Sequence, residues 1–168
     1  SWYGEAVHPQ TSCNPIRDRK EVSLFEFAIG HKVPMAGICR GSQFLNVMCG
    51  GSLYQHVDNH AIRGTHDAIE QESGEVFQVT STHHQQMRPT VDAKLIAYAN
   101  LTTFKDKMKN GKVDVIVGAA QNPHVVDAEA VYYEEQNVFC FQPHPEFPGY
   151  GDLATRYLGY LSKYLLKG

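Results

Sequence analysis

No stretch of this chain approaches the roughly 20 apolar residues that a helix needs to span a bilayer, so a membrane helix is excluded from it. The opening residues, Ser1 to Glu5, lack the basic and apolar regions of a secretory leader. There is no surplus of positive charge either. The 15 basic and 18 acidic side chains are intermixed and leave a formal charge of -3, which provides no electrostatic footprint for nucleic acid or an anionic membrane. Cys13, Cys39, Cys49 and Cys140 are scattered, without Cys-x-x-Cys spacing, so neither a zinc cluster nor a disulfide framework is expected. Internal repeats, low-complexity tracts and linkers are missing as well. What remains, at 168 residues and 42% hydrophobic content, is an expectation of one domain over residues 1–168, soluble and cytoplasmic, with small molecules as partners.

The most informative segment present is Gly37-Ile38-Cys39-Arg40-Gly41. Val33 to Ile38 reads as a short buried strand and Ser42 to Met48 as the start of a helix, which puts Cys39 at the turn between them. A sharp strand-to-helix turn crowds its flanks, so glycine is expected to be required at both Gly37 and Gly41, as in the serine elbow of hydrolases. The N–H groups opening the helix would then lower the thiol pKa and stabilise an adjacent oxyanion. A packed structural cysteine between two turn glycines is the competing reading. Cys49 and Cys140 lie among apolar residues and read as packed side chains, while Cys13 sits in a polar loop.

Pro9 to Pro15 reads as loop, followed by an amphipathic helix over Asp18 to Ile29 that Gly30 and His31 end. Gly50-Gly51 closes the cysteine helix, and Leu53-Tyr54 is extended. His56 to Gly74 is polar and irregular. Strands are expected at Val76 to Thr80, Leu95 to Ala99, Val113 to Val117, Ala130 to Tyr133 and Val138 to Phe141, the last an unbroken apolar run suited to burial on both faces. Asp152 to Leu166 has apolar positions on one helical face. The order points to an α/β fold, a doubly wound and mostly parallel sheet with helices on both faces.

Gln142-Pro143-His144-Pro145-Glu146 follows directly on that apolar strand, at the edge where parallel sheets expose their ligand sites. His144 can serve as base to a thiol, and Glu146 can fix its tautomer. Pro143 and Pro145 stiffen the backbone around the imidazole. A loop histidine between two prolines is the competing reading.

Together these segments carry a resemblance. Gly37 to Gln43, Leu45-Asn46-Val47, Gly50 to Gln55 and Gln142 to Glu146 resemble the class I glutamine amidotransferase superfamily, closest to its free-standing peptidase C26 branch of γ-glutamyl hydrolases, including those that act on γ-glutamyl-aminobutyrate. Tyr3-Gly4-Glu5, His8-Pro9, Arg17-Asp18 and Ser81-Thr82-His83-His84-Gln85 are similar to further signatures of that branch. The resemblance implies a flavodoxin-like amidotransferase fold and a Cys39-His144-Glu146 triad that cleaves a γ-glutamyl amide through a γ-glutamyl thioester. It implies an oxyanion donor at the backbone N–H of Arg40, and substrate contacts from Gln43, His83, His84 and Gln85. It implies no cofactor. The alternative is a glutaminase subunit that passes ammonia to a separate synthetase partner; a homo-oligomer is the other assembly considered.

In the resembled family, further strands and a Gly-Gly segment with the second oxyanion N–H come before the position matched by Tyr3. The expectation is therefore an N-terminally incomplete fragment, or a partner that supplies the missing part. A metal site is the rival reading for His56, Asp58, His60, His66 and the neighbouring His83-His84. None of these shows the i, i+4 pairing of a helical zinc hydrolase, so no metal is expected, and Arg63 and His66 are expected to shape a specificity loop.

Overall fold

The computed structural model describes residues 14–57, 60–61, 64–99 and 127–166, with the backbone of two further strands at 103–107 and 113–117. Tyr3-Gly4-Glu5, His8-Pro9, Cys13, Asp58 and Arg63 lie outside the described residues. In chain order the elements are α1 (Pro15–Gly30), β1 (Met35–Ile38), α2 (Arg40–Met48), β2 (Ser52–Tyr54), β3 (His56–Val57), β4 (Thr65–Glu70), β5 (Val76–Thr80), β6 (Gln86–Arg88) and β7 (Lys94–Ala99). They continue with β8 (Thr103–Lys107), β9 (Val113–Val117), β10 (Asp127–Tyr133), β11 (Val138–Phe141) and α3 (Gly151–Tyr160), which runs on into a π-helical segment, Leu161–Leu165.

The main sheet has the order β1-β11-β10-β7-β4-β5, with a two-stranded β2-β6 ribbon and a β3-β8-β9 sheet beside it. β1 and β11 pair in parallel, Met35 opposite Val138 and Ile38 opposite Phe141, so the cysteine turn and the Gln142-to-Glu146 segment leave the sheet at the same end. The β10, β7, β4 and β5 pairings are antiparallel, so among the described strands of this sheet the parallel arrangement is confined to the pair that carries the two motifs.

Side-chain alternation along β11 divides the core. Phe139 and Phe141 pack with Leu153, Tyr160 and Tyr164 of the C-terminal helix on one face. Val138 and Cys140 pack with Leu45 of α2, Met87 and Tyr133 on the other, with Cys49 at the margin. Helices thus cover both faces, and Cys49 and Cys140 are packed as expected.

Two local readings change. Pro15 is not loop: it opens α1 with Asn14 as N-cap, whose side chain accepts the Arg17 N–H at 3.1 Å, a position where proline loses no useful donor. α1 also buries little of its apolar face, since Leu24 and Phe27 are exposed and only Ala28 is fully covered. Phe25 packs against the core cluster of Leu45, Val138 and Cys140, and Arg40 at the start of α2 adds ion pairs to Glu21 at 2.7 Å and Asp18 at 2.8 Å.

The segment expected to be irregular between His56 and Gly74 contains β3 and β4. β4 is an interior strand between β7 and β5. His66 and Ala68 point inward while Asp67 is exposed, the period of a strand written in residues of low strand propensity.

Candidate active site

Cys39 occupies φ 48° and ψ -111°, a conformation a side-chain-bearing residue adopts only when its surroundings force it. Two constraints do so. Its N–H donates to the Phe141 carbonyl at 2.9 Å, extending the β1-β11 ladder by one bond, and its carbonyl accepts from the Gln43 N–H at 3.0 Å and the Ser42 hydroxyl at 2.6 Å, starting α2. Gly37 permits the turn: a Cβ there would lie 2.5 Å from the Gly41 carbonyl carbon and oxygen. At Gly41 a Cβ would meet nothing within 4 Å, so the expected requirement for glycine holds on one side only.

From β11 the chain turns so that His144 Nδ1 comes 2.6 Å from Glu146 Oε1. The sheet curls far enough for Thr80, at the end of edge strand β5, to accept the His144 N–H at 2.7 Å. Phe147 stacks on the imidazole with centroids 4.5 Å apart and planes 8° apart. The ring is therefore held by a carboxylate, a stacked aromatic and a backbone anchor. Thr80 and Phe147 were not singled out by sequence reasoning, and Gln142 was quoted in its motif without a role. A Phe directly after the His-Pro-Glu run was the available signal for the stack, whereas Thr80 becomes visible only once the sheet curls.

The thiol pKa is raised above its ordinary value, against the expectation of a helix-lowered thiol. Burial is the largest cause; the Arg40 N–H and the Gln142 side chain favour the thiolate, and the Glu146 and Glu129 carboxylates oppose it. One N–H at the start of a nine-residue helix and one side-chain amide after β11 do not offset desolvation plus two negative charges.

Gln142 links this thiol to the expected substrate segment. Its side-chain oxygen accepts from Gln43 Nε2 at 3.1 Å, and Gln43 Nε2 also donates to the Gln85 carbonyl at 2.9 Å. Gln43 is thereby buried with both amide hydrogens spent inside the protein. The same Gln85 carbonyl faces His83 Nδ1 at 3.0 Å, and Gln85 Nε2 donates to Gln55 Oε1 at 3.0 Å. His84 is partly exposed, and its carbonyl accepts from the Val57 N–H at 2.8 Å. The structure thus brings Cys39, Arg40, Gln43 and Gln85 into one bonded network, with His83 attached through the Gln85 carbonyl.

The profile of the peptidase C26 family matches residues 1–146. The chain belongs to the peptidase C26 family. The glutamine amidotransferase-like protein YvdE of Lactococcus lactis is 30% identical over 164 residues, covering 86% of this chain and 59% of its own length. A glutamine amidotransferase from Thermotoga maritima superposes with a TM-score of 0.53 at 17% identity, covering 89% of this chain and 55% of that one. A GMP synthase subunit protein from Thermoplasma acidophilum gives 0.56 at 18% identity, covering 87% and 66%. These two share the α/β fold; at such identities the likeness concerns the fold. The C26 chain spans little more than half the length of the YvdE relative.

This C26 chain also carries a cluster that sequence reasoning did not assemble. His60, His66 and His83 converge on Asp127 and Glu129 of β10, all five buried. His60 Nε2 lies 3.0 Å from Asp127 Oδ2 and 3.3 Å from Glu129 Oε1, and His66 Nε2 lies 3.1 Å from the latter atom. Both carboxylates push the His60 pKa up to about 10 against the effect of burial, whereas burial pushes His83 down to about 4. His66 is thus a core residue of β4, which overturns its expected place in a specificity loop. Asp127 and Glu129 precede the strand expected from Ala130 onward and carry no sequence signal of their own. No helix among the described residues is long and apolar enough to cross a membrane.

Proposed function

We propose that this chain, as a single amidotransferase-like domain over residues 1–168, is a cysteine hydrolase that cleaves the γ-glutamyl amide bond of glutamine or a substituted γ-glutamyl compound. The observation that carries the reading is the shared exit of β1 and β11. A strained Cys39 and a carboxylate-held His144 follow paired parallel strands, with the Cys39 N–H bonded to the last residue of β11.

Cys39 Sγ attacks the side-chain carbonyl carbon while its proton passes to His144 Nε2. Burial holds Cys39 as a thiol, so loss of the proton accompanies the attack rather than preceding it. The oxyanion is met by the Arg40 N–H, which already points at the sulfur. His144 gives the proton to the leaving amine, the C–N bond breaks, and a γ-glutamyl thioester remains. Water then gives a proton to His144 and adds to the thioester, and glutamate departs as the thiol regains its proton. Glu146 keeps Nδ1 protonated throughout. Gln43 is a positioning residue, tying the Gln85 carbonyl to Gln142, while His84 and Gln85 line the glutamyl end.

The second reading is a glutaminase subunit whose ammonia goes to a synthetase partner, favoured by the likeness to the GMP synthase protein of Thermoplasma acidophilum. A substrate panel separates the two: glutamine, γ-glutamyl-aminobutyrate, γ-glutamyl-anilide and folyl polyglutamates, with Cys39→Ala as control. Turnover of a substituted amide supports the hydrolase. Slow glutamine turnover that a partner protein accelerates supports the second reading.

A further inference from the structure

The buried cluster has the donors and spacing of a metal centre, and one of its histidines has the tautomer of a metal ligand. His83 Nδ1 faces the Gln85 carbonyl at 3.0 Å, and a carbonyl only accepts, so the ring proton is on Nδ1. His83 Nε2 therefore presents a lone pair, and it is buried with no hydrogen-bond partner among the described residues. A ring nitrogen protonated toward a backbone carbonyl, with the other left bare, is the usual state of a metal-bound histidine. Glu129 Oε2 is likewise buried with no hydrogen-bond partner among the described residues, while His66 faces the other oxygen of that carboxylate at 3.1 Å. Asp127 is oriented in the same manner, its Oδ1 accepting from Gln86 Nε2 at 2.8 Å while Oδ2 faces His60.

The spacing agrees. Metal–donor distances of about 2.0–2.2 Å place tetrahedral donors roughly 3.3–3.6 Å apart. His60 Nε2 lies 3.0 Å from Asp127 Oδ2 and 3.3 Å from Glu129 Oε1, the oxygen that His66 also faces, and one donor atom each from His60, His83 and Glu129 lie within 4.8 Å of one another. Once His60 gives up its proton to become a ligand, the two buried carboxylates carry two negative charges that one divalent cation balances, and imidazole with carboxylate is a donor set of borderline softness.

We propose that His60, His83, Glu129 and Asp127 bind one divalent transition-metal ion of the zinc class as a closed, structural centre. The ion would join three segments: the residues after β3, the stretch between β5 and β6, and the head of β10. His83 connects that junction to the Gln85 carbonyl, the group that holds Gln43. Cys39 is not a ligand, and the proposal does not depend on the hydrolase reading.

The test uses the whole chain carrying Cys39→Ala, so that the reactive thiol cannot hold the ion, expressed in zinc-supplemented medium and analysed for metal after extensive buffer exchange. About one ion per chain is expected, falling below about a tenth in His83→Ala and Glu129→Gln. Cobalt supplied in place of zinc should give the visible absorption of a four-coordinate site. Should either variant fail to fold, the parent chain decides: its thermal midpoint should fall on treatment with a strong chelator and recover with zinc. A folded parent with less than about a tenth of an ion per chain and no chelator response overturns the proposal, as does an ion retained equally by folded His83→Ala and Glu129→Gln.

Discussion

The N–H of Cys39 donates to the carbonyl of Phe141 at 2.9 Å, one hydrogen bond beyond the end of the β1-β11 ladder. That bond joins two motifs a hundred residues apart in the chain. It fixes the backbone of Cys39, the proposed nucleophile, to the strand that leads to His144, the proposed base, so conformational freedom at one motif is also freedom at the other.

Gly37 and Gly41 should respond differently to alanine. At Gly37 the new Cβ meets backbone atoms at 2.5 Å, which must shift, and a loss of about 1–3 kcal/mol is expected, read as a lower thermal midpoint. At Gly41 the space is open and the residue is helical, so Gly41→Ala should be neutral or stabilising by up to about 1 kcal/mol. Equal effects at the two sites would contradict the geometry of the turn.

The reactivity of Cys39 should increase toward alkaline pH. Its thiol pKa is raised, so the thiolate fraction at neutral pH is below that of an ordinary cysteine, and alkylation by iodoacetamide should accelerate through a midpoint above the usual thiol value. Glu146→Gln removes a negative charge that opposes the thiolate, so that midpoint should move down. An upward move would mean that the carboxylate acts on the sulfur in some other way.

Loss of the proposed base should cost more than loss of its proposed orienter. His144→Ala is expected to lower kcat by about 10³-fold or more, the range of a lost general acid-base group. Glu146 is half exposed and water can replace it at Nδ1, so Glu146→Gln should retain more activity than His144→Ala. Steady-state rates in one assay settle the ranking, and the reverse order would exchange the roles.

Arg40 separates backbone from side chain. Its guanidinium bridges to Asp18 and Glu21 at a partly exposed site, so Arg40→Ala should cost about 1 kcal/mol or less by chemical denaturation. The N–H directed at the sulfur survives the substitution, so turnover should stay within a few-fold of the parent. A collapse of kcat would assign the side chain a part in the chemistry.

The motif-bearing strands and helices were legible because their signals are local: an apolar run, a glycine, a helix start. β4 was not, since its strand is written with His66, Asp67 and Glu70, and its inward histidine finds a carboxylate only after β10 has come alongside. The start of α1 was shifted because Asn14 and Pro15 read equally well as a turn. At the site, Cys39, His144 and Glu146 stood out through their flanking glycines and prolines. The sign of the thiol shift did not, because burial and the positions of Glu146 and Glu129 are properties of the fold. His60 and His83 were weighed as metal ligands and set aside, because Asp127 and Glu129, which complete the cluster, come from a third segment that only the fold brings alongside.

The most direct measurement is mass spectrometry of the intact protein quenched in acid during turnover of a γ-glutamyl amide. The account predicts a mass increase of one glutamyl group, located by peptide mapping to Cys39 and absent from Cys39→Ala. Sustained turnover by Cys39→Ala, or an adduct on any other residue, would contradict it.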